Sequence, residues 1–321
     1  MHAPLPPIRR SLAIFIAGGT GFVGRELIAR LVRAGHRLRV VTRDLRHADD
    51  LLPLSSVEVI AGDVYAIDFL RGGLAGCDLA INLIGILNER GHGGGFRRAH
   101  VEFTRTLLAA IAESGVPRLL QMSALGADAQ RGPSHYLATK GAAEQLVRTA
   151  SARLDWTIFR PSVIFGRGDS LTHRFVGLLQ LGAGLLPLAR AGARFAPIHV
   201  SDVATAFLCA LTGGATSRRT YELCGPEVLT LEQIVRLSAA AAQRPCHILR
   251  LPAALGRLQA AVAGLLPGKP FSLDNYRSLL VDSVCHEDGC ARLGITPASL
   301  SALAPLWLAP RTALAARVGR G

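Results

Sequence analysis

The nine residues IAGGTGFVG, from Ile16 to Gly24, constrain what this chain can fold into more than any other stretch. They follow an apolar run, LAIFIA (12–17), that reads as a strand. They lead into GRELIARLVRAG (24–35), whose apolar residues recur at helical spacing up to Gly35. A strand that passes through a glycine turn into a helix gathers the first N–H groups of that helix where no side chain covers them, which makes an anion cradle. Two glycine frames overlap, Gly19-x-Gly21-x-x-Gly24 and Gly18-x-x-Gly21-x-x-Gly24. In this strand–turn–helix setting either frame predicts a pyrophosphate loop, and so a nicotinamide dinucleotide. The expected contacts are Gly18, Gly19, Thr20, Gly21, Phe22, Val23 and Gly24.

The alternation continues. RLRVVT (37–42), VEVIAGD (57–63), DLAINLIG (78–85), RLLQMSA (118–124) and WTIFRP (156–161) read as further strands. FRRAHVEFTRTLLAAIAESG (96–115) and YLATKGAAEQLVRTA (136–150) read as helices between them. This pattern predicts an α/β fold, a Rossmann doubly wound parallel sheet with helices on both faces. After Pro161 glycines and prolines become frequent and helices over 201–213 and 230–243 intervene, which predicts a smaller, mostly helical C-terminal lobe. The expected division is an NAD(P)-binding domain over 10–165 joined by later returning segments, a substrate or partner lobe over 166–310, and a tail over 311–321. Ser201 or Asp202 is the expected N-cap of the 201–213 helix.

The end of the second strand selects the nucleotide. An NAD site places a carboxylate there to hold the ribose hydroxyls. This strand ends VVTRD, with Thr42 and Arg43 in the decisive positions and Asp44 after them. The planar fork of Arg43 suits a 2′-phosphate, so NADP(H) is expected in preference to NAD(H). GDV (62–64) puts Asp63 where the adenine amino group would lie, or else forms a strand-end turn.

Charge narrows the partners. The net charge is +13, and its 36 basic residues, all arginine except Lys140 and Lys269, are spread without blocks or interleaved aromatics. No nucleic-acid footprint is present, and an anionic cofactor or an anionic membrane surface is the expected partner. No run of 18 apolar residues appears, so no spanning helix is expected and the chain reads as cytoplasmic, with peripheral membrane contact as the alternative. The apolar stretches 175–195 and 251–271 are expected to form lobe core and lid, to line an apolar substrate pocket, or to lie on a membrane surface. The six cysteines form no CxxC pair, so no metal site is expected and the thiols read as reduced.

Tyr136-Leu-Ala-Thr-Lys140 puts a phenol and an ammonium on one helix face. An ammonium lowers a neighbouring phenol's pKa and can share a proton, which a guanidinium cannot, so lysine in an arginine-rich chain fits chemistry or ribose binding. Ser123, at the end of the fifth strand, is placed to orient the same oxygen. The expected catalytic set is Tyr136 as acid/base, Lys140 tuning it and Ser123 orienting an apolar carbonyl or quinone-like substrate. The other expectation is a cofactor-binding scaffold that does not turn over.

AGGTGFVG, GDV, NLIG, the Ser123…Tyr136-x-x-x-Lys140 set, RPSVIFG (160–166), PIHVSDVATA (197–206) and YELCGPE (221–227) resemble the extended short-chain dehydrogenase/reductase superfamily, which is NAD-dependent epimerase/dehydratase-like. MSALGAD (122–128), RPSVIFGRGD and PFSLDNYRSLLVDSVC (270–285) resemble its atypical group named for the alpha-subcomplex subunit nine of respiratory complex I. The resemblance spans roughly residues 12 to 310. It implies a Rossmann domain with a C-terminal lobe, NADPH held as a structural group in the complex I member, and ubiquinone-related roles near membranes in other relatives. It implies that Gly18, Gly21 and Gly24 hold pyrophosphate, Arg43 the 2′-phosphate, and Asp63 and Val64 the adenine. Lys140 would bind the nicotinamide ribose, Pro161 and Val163 would pack near the nicotinamide, and Asn82 of NLIG joins the cofactor set. The chain departs from the superfamily at Ala17, where threonine is usual, and at His100, where asparagine is common. An enzyme that relays protons through that asparagine needs a substitute here.

Overall fold

Four consecutive side chains, Ile14 to Ala17, are fully buried, and their strand, β1 (Ala13–Ala17), lies inside a seven-stranded parallel sheet. The computed structural model describes residues 10–89, 95–266 and 271–309. The tail expected over 311–321 lies outside the described residues. The chain divides into two units. The first takes the residues up to Pro161 with Ser201–Leu223 and Glu287–Thr296, and the second takes Ser162–Val200, Cys224–His286 and the residues from Pro297.

In the first unit β1 is followed by α1 (Phe22–Arg33), β2 (Arg37–Thr42), β3 (Val57–Ala61), α2 (Ile67–Leu74), β4 (Leu79–Asn82), α3 (Phe103–Ser114), β5 (Arg118–Met122), α4 (His135–Arg148) and β6 (Asp155–Pro161). The chain then forms β7 (Ile164–Phe165), α5 (Ser170–Leu181), β8 (Leu185–Ala189), β9 (Arg194–Phe195) and β10 (Ile198–His199). It returns to the first unit with α6 (Val200–Cys209) and β11 (Arg219–Leu223), which pairs in parallel with β6. The sheet order is β11-β6-β5-β4-β1-β2-β3. β1 has β2 on one side, Ala17 against Val41, and β4 on the other, Ala17 against Asn82. Winding therefore reverses between β1 and β4, and their carboxyl ends open the crevice in which such sheets bind ligands.

α1 is amphipathic because Leu27, Ile28 and Leu31 share one face and are fully buried, each burial contributing about 2 kcal/mol. The guanidinium of Arg30, on the same helix, donates to Ser201 Oγ and Thr205 Oγ1 of α6. α6 begins at Val200, so Ser201 and Asp202 lie inside it rather than capping it, and Ser201 receives Arg30 instead. The helix expected over 96–115 is two pieces. A wide π-helical turn, Arg97–Glu102, precedes α3, which Gly115 closes at φ +71°.

The second unit continues with β12 (Leu229–Thr230), α7 (Leu231–Ala241), β13 (His247–Leu251), α8 (Ala253–Ala263) and α9 (Leu273–Ser278). The pairs β10–β7, β12–β9 and β13–β8 stand among these helices, which still make up most of the lobe's regular structure. Two-residue strands are too short to leave a period-2 signature. Leu179, Leu186, Leu188, Leu231 and Val235 form its main buried cluster. Two cysteines expected to be reduced are joined: Cys224 and Cys285 form a disulfide across 61 residues of sequence. Spacing alone could not pair them. Ser283 hydrogen-bonds to Ser162 and Ala196, and this brings its neighbour Cys285 to Cys224.

Candidate functional site

At the carboxyl end of β1 the glycines are required by close approach. Gly18 has φ +83°, and a Cβ there would lie 2.9 Å from the Leu83 carbonyl carbon. At Gly24 a Cβ would lie 2.3 Å from the Gly19 carbonyl oxygen. Gly19 faces Val40 and Ile28, where a Cβ would come within 2.8 and 3.0 Å. The turn closes through Gly21 N–H donating to Gly18 O at 3.1 Å. α1 starts at Phe22 with Gly21 as N-cap, no side-chain cap and no acidic residue in its first turn. The first amides, on Phe22, Val23 and Gly24, therefore have no intrahelical acceptor and no carboxylate competing for them. The Thr20 carbonyl accepts from Arg25, which steadies the loop. A pyrophosphate fits this cradle, because its oxygens would meet bare N–H groups at a positive helix end.

At the end of β2 the two candidate selectors separate. Arg43 is exposed and makes no ion pair among the described residues. The Asp44 carboxylate caps the short turn Leu45–His47 and binds Arg46 at 2.6 Å, which holds its pKa down to about 2. The neighbouring carboxylate is thus occupied and the guanidinium is free. Asp63 accepts from Tyr65 N–H at 2.9 Å, a strand-end turn, and Val64 is buried in the core. Asn82 needs correction as a cofactor contact. Its side chain is 1% exposed and turned into the protein, donating to Gln121 and Thr104 and accepting from Ile84 N–H. Its amide shapes the chain leaving β4. Pro161 ends β6, its carbonyl accepting from Leu125 N–H at 3.0 Å, whereas Val163 lies in the second unit, where its carbonyl accepts from Ile198 N–H.

Lys140 on α4 is 4% exposed. Its ammonium donates to the carbonyls of Met122, the last residue of β5, at 3.3 Å and of Ile84, two residues past β4, at 3.4 Å. Burial pushes it down to about 8, with Glu144 opposing the shift. Glu144 is itself buried and held by Arg160 and Arg148, so Arg160 ties β6 to α4. Ser123 follows Met122, and its Oγ is buried with no hydrogen-bond partner among the described residues. One turn before Lys140, the Tyr136 ring meets His100 edge-on at 5.5 Å and Phe96 at 5.8 Å. Burial pushes the phenol up to about 12, so the lowering expected from Lys140 is reversed. Desolvation disfavours phenolate, and the ammonium is turned toward main-chain carbonyls.

His100 is the neighbour whose place the sequence did not reveal. It sits in the π-helical turn, 2% exposed. Nε2 accepts from Ile86 N–H at 3.4 Å, so the ring proton is assigned to Nδ1, which donates to Thr139 Oγ1 at 2.9 Å. Burial, with the Lys140 charge beside it, holds its pKa down to about 2, and the imidazole is neutral. Lys140 Nζ and His100 Nε2 converge on Gly85, where a Cβ would lie 3.0 and 3.7 Å from them.

Residues 18–176 match the family described as NAD(P)H-binding. Over 288 residues the chain is 29% identical to the NADH dehydrogenase (ubiquinone) 1 alpha subcomplex subunit 9, mitochondrial, of Arabidopsis thaliana, covering 85% of this chain and 71% of that protein. It is 35% identical over 198 residues to the ceramide reductase of Caulobacter vibrioides, covering 60% of this chain and 58% of that protein. A nucleoside-diphosphate-sugar epimerase from Staphylococcus aureus superposes with a TM-score of 0.72 at 16% identity, over 92% of this chain and 100% of that one, a likeness of fold. Sheet order, glycine turn and family match together mark residues 18–176 as an NAD(P)H-binding domain, in a fold like that of the epimerase. The chain is homologous to the complex I alpha subcomplex subunit 9, and with a ceramide reductase among its relatives it is an oxidoreductase-like protein.

Proposed function

We propose that this chain is an NADP(H)-dependent reductase of an apolar carbonyl compound, lipid-like or quinone-like. The observation that carries the reading is Ser123 Oγ, buried and unpartnered one residue beyond the carbonyl that holds Lys140. Leaving a buried hydroxyl unpaired costs about 1–3 kcal/mol, a penalty that a substrate oxygen would relieve. In such chemistry a bound nicotinamide supplies hydride to the carbonyl carbon. Tyr136, held near 12, stays protonated at neutral pH and gives its proton to the carbonyl oxygen as charge develops there, leaving alcohol and oxidised dinucleotide. The free guanidinium of Arg43 favours the 2′-phosphate, and the name of the Caulobacter relative supports an apolar carbonyl.

Homology to subunit 9 over 85% of the chain favours a second reading, a cofactor-holding accessory protein of respiratory or quinone-biosynthetic machinery. There the dinucleotide would stabilise the fold by mass action. One experiment separates them: identify the nucleotide that copurifies, then follow NADPH absorbance with hydrophobic ketones and quinones. Turnover that Tyr136→Phe abolishes while nucleotide binding persists supports the reductase. A nucleotide that never changes redox state, and whose removal lowers the melting temperature, supports the accessory role.

A further inference from the structure

Helix α8, in the second unit, is built inside out. Its buried positions carry its smallest residues, Gly256 and Ala260, while Leu255, Leu258 and Val262 are 52%, 59% and 55% exposed. A surface helix ordinarily does the reverse. The small side is required by packing: a Cβ at Gly256 would lie 3.0 Å from Ala189 and 3.2 Å from Tyr276, and Ala260 joins the same small cluster. The apolar outer side continues past the helix through Leu265 and Leu266, also exposed. Beside it Arg257 and Arg277 border a hollow of about 310 Å³ together with Leu273, Tyr276 and Leu280, and no carboxylate lines it. Neither arginine makes an ion pair among the described residues. Asp274 is the one acidic residue from Leu251 to Val281, in a chain whose net charge is +13.

We propose that the α8–α9 face of the second unit docks on the surface of an anionic bilayer. Leucines and valine at this spacing sink to the boundary between headgroups and acyl chains, while Arg257 and Arg277 reach phosphates at the rim. No described helix is long and apolar enough to cross a membrane, so the face lies on the bilayer. Charge decides the occupant. Two unpaired arginines in an apolar surround match an anionic plane, and self-pairing of two copies through this face would bring like charges together. The inference is independent of turnover in the first unit.

The test is sedimentation of the full chain with phosphatidylcholine vesicles containing roughly one third phosphatidylglycerol, against vesicles of phosphatidylcholine alone. The expected result is pelleting with the anionic vesicles, weaker by about tenfold or more on neutral vesicles and in the Arg257→Glu/Arg277→Glu variant. Leu258→Glu/Val262→Glu should abolish pelleting with its melting temperature unchanged, because both positions are exposed. Three results would overturn the proposal: no pelleting with anionic vesicles, equal pelleting of wild type and variants, or a vesicle-free dimer in light scattering that Leu258→Glu dissociates. The last would assign the face to a second copy.

Discussion

The ammonium of Lys140 lies 3.3 Å from the carbonyl of Met122, the residue immediately before the unpartnered hydroxyl of Ser123. A cation placed against main-chain dipoles and away from water loses more hydration than the carbonyls return, which is why it titrates near 8 rather than at its ordinary 10.5. The sign of the linkage follows. Between these values the unfolded chain binds the proton and the folded chain does not, so stability rises as pH climbs through that window. The penalty relieved is about 3 kcal/mol. Denaturant unfolding at stepped pH should show wild type gaining on Lys140→Met between pH 8 and 10.5; a constant gap would contradict the desolvated ammonium.

Ser123→Ala removes a buried hydroxyl that has no hydrogen-bond partner among the described residues. Its stability should be unchanged or higher by up to about 1 kcal/mol, because an unsatisfied group is lost. If the hydroxyl orients substrate, kcat should fall about tenfold or more with NADPH affinity unaltered. Calorimetry and single-turnover absorbance separate the two effects, and a variant that unfolds more easily would mean the hydroxyl has a partner after all.

Arg43→Glu should weaken NADPH by about 2 kcal/mol or more, some thirtyfold, and leave NADH within a few-fold, since only the former presents a 2′-phosphate to the guanidinium. Asp44 cannot take over ribose recognition while Arg46 holds it. Titration calorimetry with both nucleotides measures the difference. Equal losses would remove the 2′-phosphate assignment.

Gly24→Ala puts a methyl group 2.3 Å from the Gly19 carbonyl oxygen, and backbone cannot yield there without opening the turn. Nucleotide binding should be lost, with destabilisation of about 2–4 kcal/mol. Gly115→Ala is the control. It has a positive φ but no neighbour within 4 Å, so it should cost stability by about 1 kcal/mol through backbone strain and leave binding intact.

The parallel sheet was legible as strand–helix alternation, and the observed strand order is of the Rossmann type. The glycine turn was legible because its physics is local: strand end, positive φ and helix start lie within nine residues. Tyr136 and Lys140 were legible as an i, i+4 pair, yet the direction of the phenol's pKa was not. A lysine four residues away predicts a lowered value, and only the packing of Phe96 and His100 around the ring shows that desolvation wins. The small strands of the second unit left no periodic signal, and its disulfide joins residues too far apart in sequence to be paired by spacing.

Sequence alone therefore determined what short-range geometry encodes: a glycine turn between a strand and a helix, a parallel sheet around it, and a phenol and an ammonium on one face of α4. Tertiary structure decided everything that depends on residues distant in the chain. It left Arg43 without an ion pair among the described residues while engaging Asp44, and tied the side-chain amide of Asn82 to Gln121 and Thr104. It brought α6 and β11 back to the sheet, and seated His100 beside Tyr136 and Lys140. The reason is physical. Period and turn chemistry act over a few residues, whereas burial and charge at a site are set by whichever distant segments pack against it.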